Sequence, residues 1–120
     1  MTRSLTYNTA LGKYVLTGHS ARYDPAQGRN VTGLYLSTSD DLVHWSMRQL
    51  IIEKPSLITH TCGGEDPAAY PSLIDPGSTD RNFRITDSTM YVYYTIFRYN
   101  AACQLQLDRD LVRVPITIAP

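Results

Sequence analysis

The chain has 120 residues, and its 11 lysine and arginine residues balance 11 aspartate and glutamate residues, so the formal net charge is zero. This balance argues against a nucleic-acid-binding protein or a polybasic membrane-surface segment, because both normally carry a basic excess. No apolar run approaches the ~18 residues of a transmembrane helix. No signal-peptide pattern is visible at the N-terminus, which leaves the localisation open. We expect one domain with no nucleic-acid or membrane partner.

The composition favours β-structure. Threonine, valine, isoleucine and nine tyrosines supply strand formers, whereas lysine and glutamate each occur only twice. Seven glycines and seven prolines interrupt the chain, and no apolar stripe of helical period runs beyond ten residues. We therefore predict an all-β fold with more than about 35% strand and less than about 10% helix.

The first half reads as four strands joined by short turns. A glycine- and proline-containing loop is expected at His19–Asn30, and turns are expected at Thr9–Gly12 and at Asp40–Asp41. Short connections between successive strands indicate an antiparallel meander. The predicted strands are Arg3–Asn8, Lys13–Gly18, Val31–Ser37 and Trp45–Ile52.

The second half repeats this pattern after a long loop, Ser56–Tyr70, with a last turn at Asp108–Asp110. Its predicted strands are Pro71–Ile74, Thr89–Phe97, Gln104–Leu107 and Val112–Ile118. Two short matches support the repeat: Ser4-Leu5 recurs as Ser72-Leu73, and Asp41-Leu42-Val43 recurs as Asp110-Leu111-Val112. We interpret residues 1–55 and 56–120 as two four-stranded antiparallel units, each typical of a β-propeller blade, together forming one partial propeller domain.

The segment Ser37–Ser46, STSDDLVHWS, resembles the S-x-D-L-x-x-W-S element of five-bladed β-propeller glycoside hydrolases. These include the family 43 arabinanases and xylosidases and the related fructan hydrolases. The tract Tyr70–Pro76 and the strand Tyr91–Thr95 are similar to a blade opening of the same group. The resemblance implies that the chain forms the C-terminal blades of such a propeller. Independently of the resemblance, we expect Trp45 to be a core aromatic residue packed between blades.

The catalytic carboxylates of that family have no counterpart in this chain. Glycosidases of this kind use two carboxyl groups that flank the scissile bond. An acid in the family's E-x-P-S arrangement would fall at Ala69, and the matching position of the first blade is Met1. We predict non-catalytic blades of a glycoside hydrolase-like propeller that binds or hydrolyses polysaccharide. The alternatives are a catalytically inactive carbohydrate-binding propeller and a small β domain that mediates oligomerisation.

Strand direction in a blade would bring three loops to the pocket side: His19–Asn30, Thr59–Tyr70 and Arg98–Cys103. They carry aromatic and hydrogen-bonding groups, which suit the C–H faces and hydroxyls of a sugar. Glu65-Asp66 is an acidic pair, but a solvated loop with Asp66 capping a turn is the favoured interpretation. The predicted substrate-binding residues are His19, Tyr23, His60, Glu65, Asp66, Tyr70 and Arg98.

No cofactor and no metal site are predicted, because the three histidines lack a metal-binding spacing. A disulfide between Cys62 and Cys103 is geometrically possible, but free thiols are the default expectation in a chain without a visible signal peptide. Each blade would leave one broad apolar face uncovered. We therefore expect self-association, or packing against missing upstream blades.

Overall fold

The computed structural model describes residues 3–117, and 58% of them lie in β-strands with no helix among them. The all-β prediction is confirmed. Without a helix in the described range, none is available that is long and apolar enough to span a membrane. The strands are β1 (Arg3–Asn8), β2 (Lys13–Asp24), β3 (Arg29–Ser39), β4 (Gln49–Glu53), β5 (Ala68–Ile74), β6 (Ile85–Thr86), β7 (Thr89–Tyr99) and β8 (Leu105–Thr117).

The first sheet has the strand order β4-β3-β2-β1-β6, and β1 to β4 form the predicted antiparallel meander. The loop predicted at His19–Asn30 is wrong, because β2 and β3 stay paired as far as Asp24 and Arg29. A tight turn joins them: the Gly28 N–H donates to the Asp24 carbonyl at 2.8 Å, and Gly28 has a φ of +65° that favours glycine. His19 and Tyr23 therefore lie on a strand.

The turn after β3 shows that two predictions are wrong: the fourth strand starts later than predicted, and Trp45 is not buried in a core. The Asp41 carboxylate accepts the backbone N–H groups of Val43 and His44, at 2.9 and 2.8 Å. The His44 N–H holds the pKa of Asp41 well below its usual range. This turn keeps the following residues out of the sheet, so β4 begins only at Gln49. Trp45 is 37% exposed and donates to the Leu42 carbonyl instead of entering a core.

The second sheet has three strands in the order β5-β7-β8, rather than the four that the sequence suggested. The turn expected at Asp108–Asp110 does not form. β8 pairs with β7 from Thr89↔Thr117 to Phe97↔Arg109, and after a register shift the pairing resumes at Tyr99↔Leu105. An ion pair with Arg98 compensates the charge of the Asp110 carboxylate, which would otherwise favour a turn. Asp110-Leu111-Val112 is therefore strand where Asp41-Leu42-Val43 is a turn, and this part of the proposed repeat is wrong.

β6 joins the two halves of the chain, because it pairs in parallel with β1 through Tyr7↔Ile85 and Asn8↔Thr86. Asn8 and Thr86 are fully buried and hydrogen-bonded to each other, with 3.1 Å between Asn8 Nδ2 and Thr86 Oγ1. Asn8 Nδ2 also donates to the Asp87 carbonyl, and Asn8 Oδ1 accepts the Leu11 N–H, both at 2.9 Å. The division of the chain into two units at residue 55 stays a prediction. The two sheets do not divide strictly there, because β6 comes from the second half of the chain but belongs to the first sheet.

The two sheets share one apolar core. Val15 and Leu34 of the first sheet belong to the same buried cluster as Leu73, Met90 and Val92 of the second. The Ser4 hydroxyl, which accepts the Leu73 N–H at 3.1 Å, adds a direct bond between β1 and β5. Packing of this kind places β2 beside β5, and the candidate site lies along that boundary.

Replacing Asn8 with alanine is expected to lower the free energy of unfolding by about 1–3 kcal/mol, since it removes the buried bond to Thr86 and leaves the part-buried Leu11 N–H and Asp87 carbonyl without this partner. Urea denaturation followed by circular dichroism measures the change. Asn30→Ala is the matched control, because Asn30 is exposed. Equal, small effects of the two substitutions would contradict a structural role for the buried bonds.

Candidate functional site

A cavity of about 560 Å³ opens between the two sheets where β2 faces β5. Its walls are residues 19–21 of β2, Thr32 of β3, the loop residues 56–59 and residues 68–71 of β5. We call it the His19 cavity. Most of the lining side chains are apolar or carry a single hydroxyl, so a bound molecule would need a largely apolar body and few hydrogen-bonding groups.

His19 is the polar centre of the cavity. Its side chain is only 7% exposed, and Nε2 has no hydrogen-bond partner among the described residues. Burial lowers the pKa of His19, and the nearby backbone of Pro55 and Lys54 opposes the shift only in part. The imidazole is therefore neutral at neutral pH. A buried polar atom without a partner is costly, so a ligand that bonds to Nε2 would recover that cost.

Tyr70 lies at the cavity as an exposed aromatic ring. It is 53% exposed, has a φ of +58° and sits at an irregularity of β5 where the pairing with β7 shifts between Ala69 and Ser72. A positive φ is unfavourable for a bulky residue, and such strain recurs at ligand sites. Tyr70 packs against Phe97 with 5.8 Å between ring centroids. This support fixes the ring beside the cavity.

A second, more polar cleft of about 340 Å³ adjoins the His19 cavity and shares Thr32 and Thr59 with it. Glu65 and Glu53 line this cleft. Each carboxylate is held by a cation: Glu65 by Lys54 at 3.2 Å, and Glu53 by Arg29 at 2.8 Å. Glu65 therefore lies next to the cavity but does not line it.

The loop that supplies one cavity wall is fastened to the β7–β8 hairpin at three points. Cys62 and Cys103 form a disulfide with 5.4 Å between their Cα atoms, which corrects the expectation of free thiols. The rings of His60 and Tyr99 pack with centroids 4.3 Å apart. Asp66 receives a hydrogen bond from Arg98 at 3.1 Å. The loops Thr59–Tyr70 and Arg98–Cys103 thus come together, as the sequence predicted.

The seven predicted binding residues separate into groups. His19 and Tyr70 share the cavity, and Glu65 lines the adjoining cleft. His60, Asp66 and Arg98 make the contacts that fasten the loop rather than lining the cavity. Tyr23 lines a separate cleft of about 230 Å³.

Sequence reasoning missed the apolar wall formed by Leu57 and Ile58. Ile58 is 93% exposed, and an isoleucine in a polar loop was the available signal. None of the residues around the His19 cavity is a carboxylate, so within the described range its lining supplies binding groups rather than an acid–base pair.

No protein-family model matches this chain, and the searches of curated proteins and of solved structures found no match either. The described residues contain no group of three or more histidine, cysteine, aspartate or glutamate side chains placed to hold a metal ion. The site is therefore defined by its own geometry: an all-β domain of two packed sheets with a largely apolar cavity around a buried histidine.

Reduction of the Cys62–Cys103 disulfide is expected to lower the free energy of unfolding by about 2–4 kcal/mol, because the bond restricts a long loop in the unfolded chain. Thermal unfolding with and without a phosphine reductant measures the effect. The Cys62→Ser/Cys103→Ser variant should be destabilised to the same extent and should not respond to the reductant. Wild-type unfolding that is unchanged by full reduction would contradict the expectation.

Proposed function

We propose that this chain binds carbohydrate in the His19 cavity, as a non-catalytic part of a glycoside hydrolase-like fold. The observation that carries the proposal is the unpartnered, buried Nε2 of His19 in a cavity that also contains the exposed ring of Tyr70. A neutral imidazole nitrogen donates or accepts according to its tautomer. A sugar hydroxyl both donates and accepts, so it satisfies Nε2 in either tautomer.

The rest of the cavity suits the apolar side of a sugar. A pyranose or furanose ring presents C–H groups, which pack against an aromatic ring such as Tyr70 and against aliphatic side chains such as Leu57 and Ile58. The hydroxyls of Ser20, Thr32 and Thr59 offer further hydrogen bonds to the ring substituents. Few polar groups within a mainly apolar lining are typical of small-molecule sites.

Two features support the propeller interpretation of this proposal, and one weighs against it. β1 to β4 form a four-stranded antiparallel meander, as a blade does. Ala69, which occupies the position of the family's acid, lies in the wall of the His19 cavity. Against this, β8 is one continuous strand where a second blade needs two. Hydrolysis by such a fold would require carboxylates that the lining of this cavity does not supply. A catalytically inactive carbohydrate-binding propeller remains the alternative.

The test is calorimetric titration with neutral arabino- and xylo-oligosaccharides. His19→Ala and Tyr70→Ala should each weaken binding by about tenfold or more, because each removes a buried hydrogen bond or a stacking surface. Tyr23→Ala is the matched control, since Tyr23 is similarly exposed but lies in a different cleft. Unchanged affinity in the His19 and Tyr70 variants, or an equal loss in the Tyr23 variant, would overturn the proposed site.

The pH dependence of the same titration tests the protonation state of His19. Its folded-state pKa is lowered, so the neutral form predominates above the usual value of about 6.5 and gives way to the charged form at lower pH. Ligand binding buries the imidazole further and penalises that charge. Affinity should therefore be constant above about pH 6.5 and fall as the pH drops through the lowered pKa. His19→Gln should lose this dependence.

The outer face of the first sheet favours self-association as a second candidate function. Leu5 and Tyr7 are exposed there, opposite Leu16 and Tyr14 on β2, and the rings of Tyr7 and Tyr14 pack edge to face. This uncharged patch suits a second copy or an additional sheet. Sedimentation should show concentration-dependent oligomers that Leu5→Lys/Leu16→Lys abolishes. A wild-type protein that stays monomeric at all concentrations would contradict this function.

A further inference from the structure

The outer face of the second sheet carries two arginines, each held over an aromatic ring. The guanidinium carbon of Arg113 lies 4.2 Å from the ring centroid of Tyr91, and that of Arg109 lies 4.5 Å from the ring centroid of Phe97. Arg113 also donates to the Tyr93 hydroxyl at 3.2 Å. We call these five residues the arginine face. Stacking fixes the guanidinium planes while leaving most of their N–H groups free.

Neither arginine has a carboxylate within ion-pair distance in the described part of the chain, whereas Arg29 and Arg84 each have one and Arg98 has two. The two nearest acids along the strand do not neutralise them. Asp110 alternates with Arg109 along β8, so it points to the other side of the sheet. Asp108 lies where the pairing with β7 shifts, and it forms no ion pair with either arginine among the described residues. Asp110 is moreover paired with Arg98. The face therefore has a positive charge that the domain itself does not compensate.

The two guanidinium groups argue against a covering layer of apolar strands on this side. Burying an uncompensated charge costs several kcal/mol, so this face is poorly suited to such a layer. Arg113 comes four positions after Arg109, which places them about 13 Å apart along the strand. Two cations at this spacing suit an extended polyanion better than one small anion.

We propose that the arginine face binds an acidic polysaccharide, whose uronate or sulfate groups pair with Arg109 and Arg113 while its rings lie on the tyrosines. Guanidinium groups form charge-assisted, bidentate bonds with carboxylates and sulfates. The choice of a polysaccharide over other polyanions rests on the proposed function. It is supported by continuity, because Tyr70 of the His19 cavity packs against Phe97, which lies under Arg109.

The experiment compares binding of polygalacturonate with that of an uncharged galactan of similar length. Arg109→Gln/Arg113→Gln should weaken polygalacturonate binding by about tenfold or more, because bonds to charged groups are lost. The matched control is Arg22→Gln/Arg81→Gln, which removes two other exposed arginines and the same net charge. Far-ultraviolet circular dichroism should be identical for all three proteins, since every substituted side chain is exposed.

The outcomes separate this inference from the proposed function. Loss of polygalacturonate binding in the Arg109/Arg113 variant but not in the control variant supports binding at the arginine face. An equal loss of polygalacturonate binding in the control variant would show non-specific charge attraction and would overturn the inference. Tighter binding of polythymidylate than of polygalacturonate to the same arginines would also overturn it. If the neutral oligosaccharides bind with dependence on His19 while polygalacturonate binds no better than galactan, the proposed function stands and this inference fails. If polygalacturonate requires the arginines but no neutral sugar binds, the cavity proposal fails instead.

Discussion

The buried contact between Asn8 and Thr86 is the constraint on which the rest of this structure depends. This contact holds β6, which comes from the second half of the chain, against β1 of the first half. Asparagine in a core is tolerated only when its amide is satisfied, and here both ends of the amide are bonded. An apolar side chain would pack at many angles, whereas these bonds hold only one arrangement of β1 and β6. The polar junction therefore fixes how one sheet lies against the other.

The position of the candidate site follows from that arrangement. His19 and Tyr70 are 51 residues apart in the sequence, and only the packing of β2 beside β5 brings them to one cavity. The loop that closes its side is not part of either sheet. Its position is set by Cys62 and by the ion pair between Asp66 and Arg98. The sheets thus position the polar centre and the aromatic ring, and the fastened loop supplies the apolar wall.

The sequence was most informative where a single local rule decides the structure. The alternation and β-branched residues of β2, β3 and β7 identified strands, whereas Asp24 and Gly28 suggested a loop, His19–Asn30, that is much longer than the turn they form. Prediction failed where a distant partner decides. The charged run at Asp108–Asp110 resembles a turn until Arg98 is seen beside it and residues 109–117 are seen paired with β7. Trp45 resembles a core residue until the Asp41 turn is seen to hold it outside. For the site, residue type suggested His19 and Tyr70, but neither burial nor the missing partner of Nε2 can be read from one sequence.

The pairing of β6 with β1 also has a consequence for the order in which the chain folds. The first four strands are joined by short connections, so their hairpins can close rapidly from contacts that are near in sequence. The Asn8–Thr86 bond instead spans 78 residues and cannot form until the chain has been synthesised beyond Thr86. Until then the edge of β1 that receives β6 has unpaired backbone groups, open to the strands of other chains. The interval between completion of the meander and arrival of β6 is thus the period of greatest exposure to misassembly during synthesis.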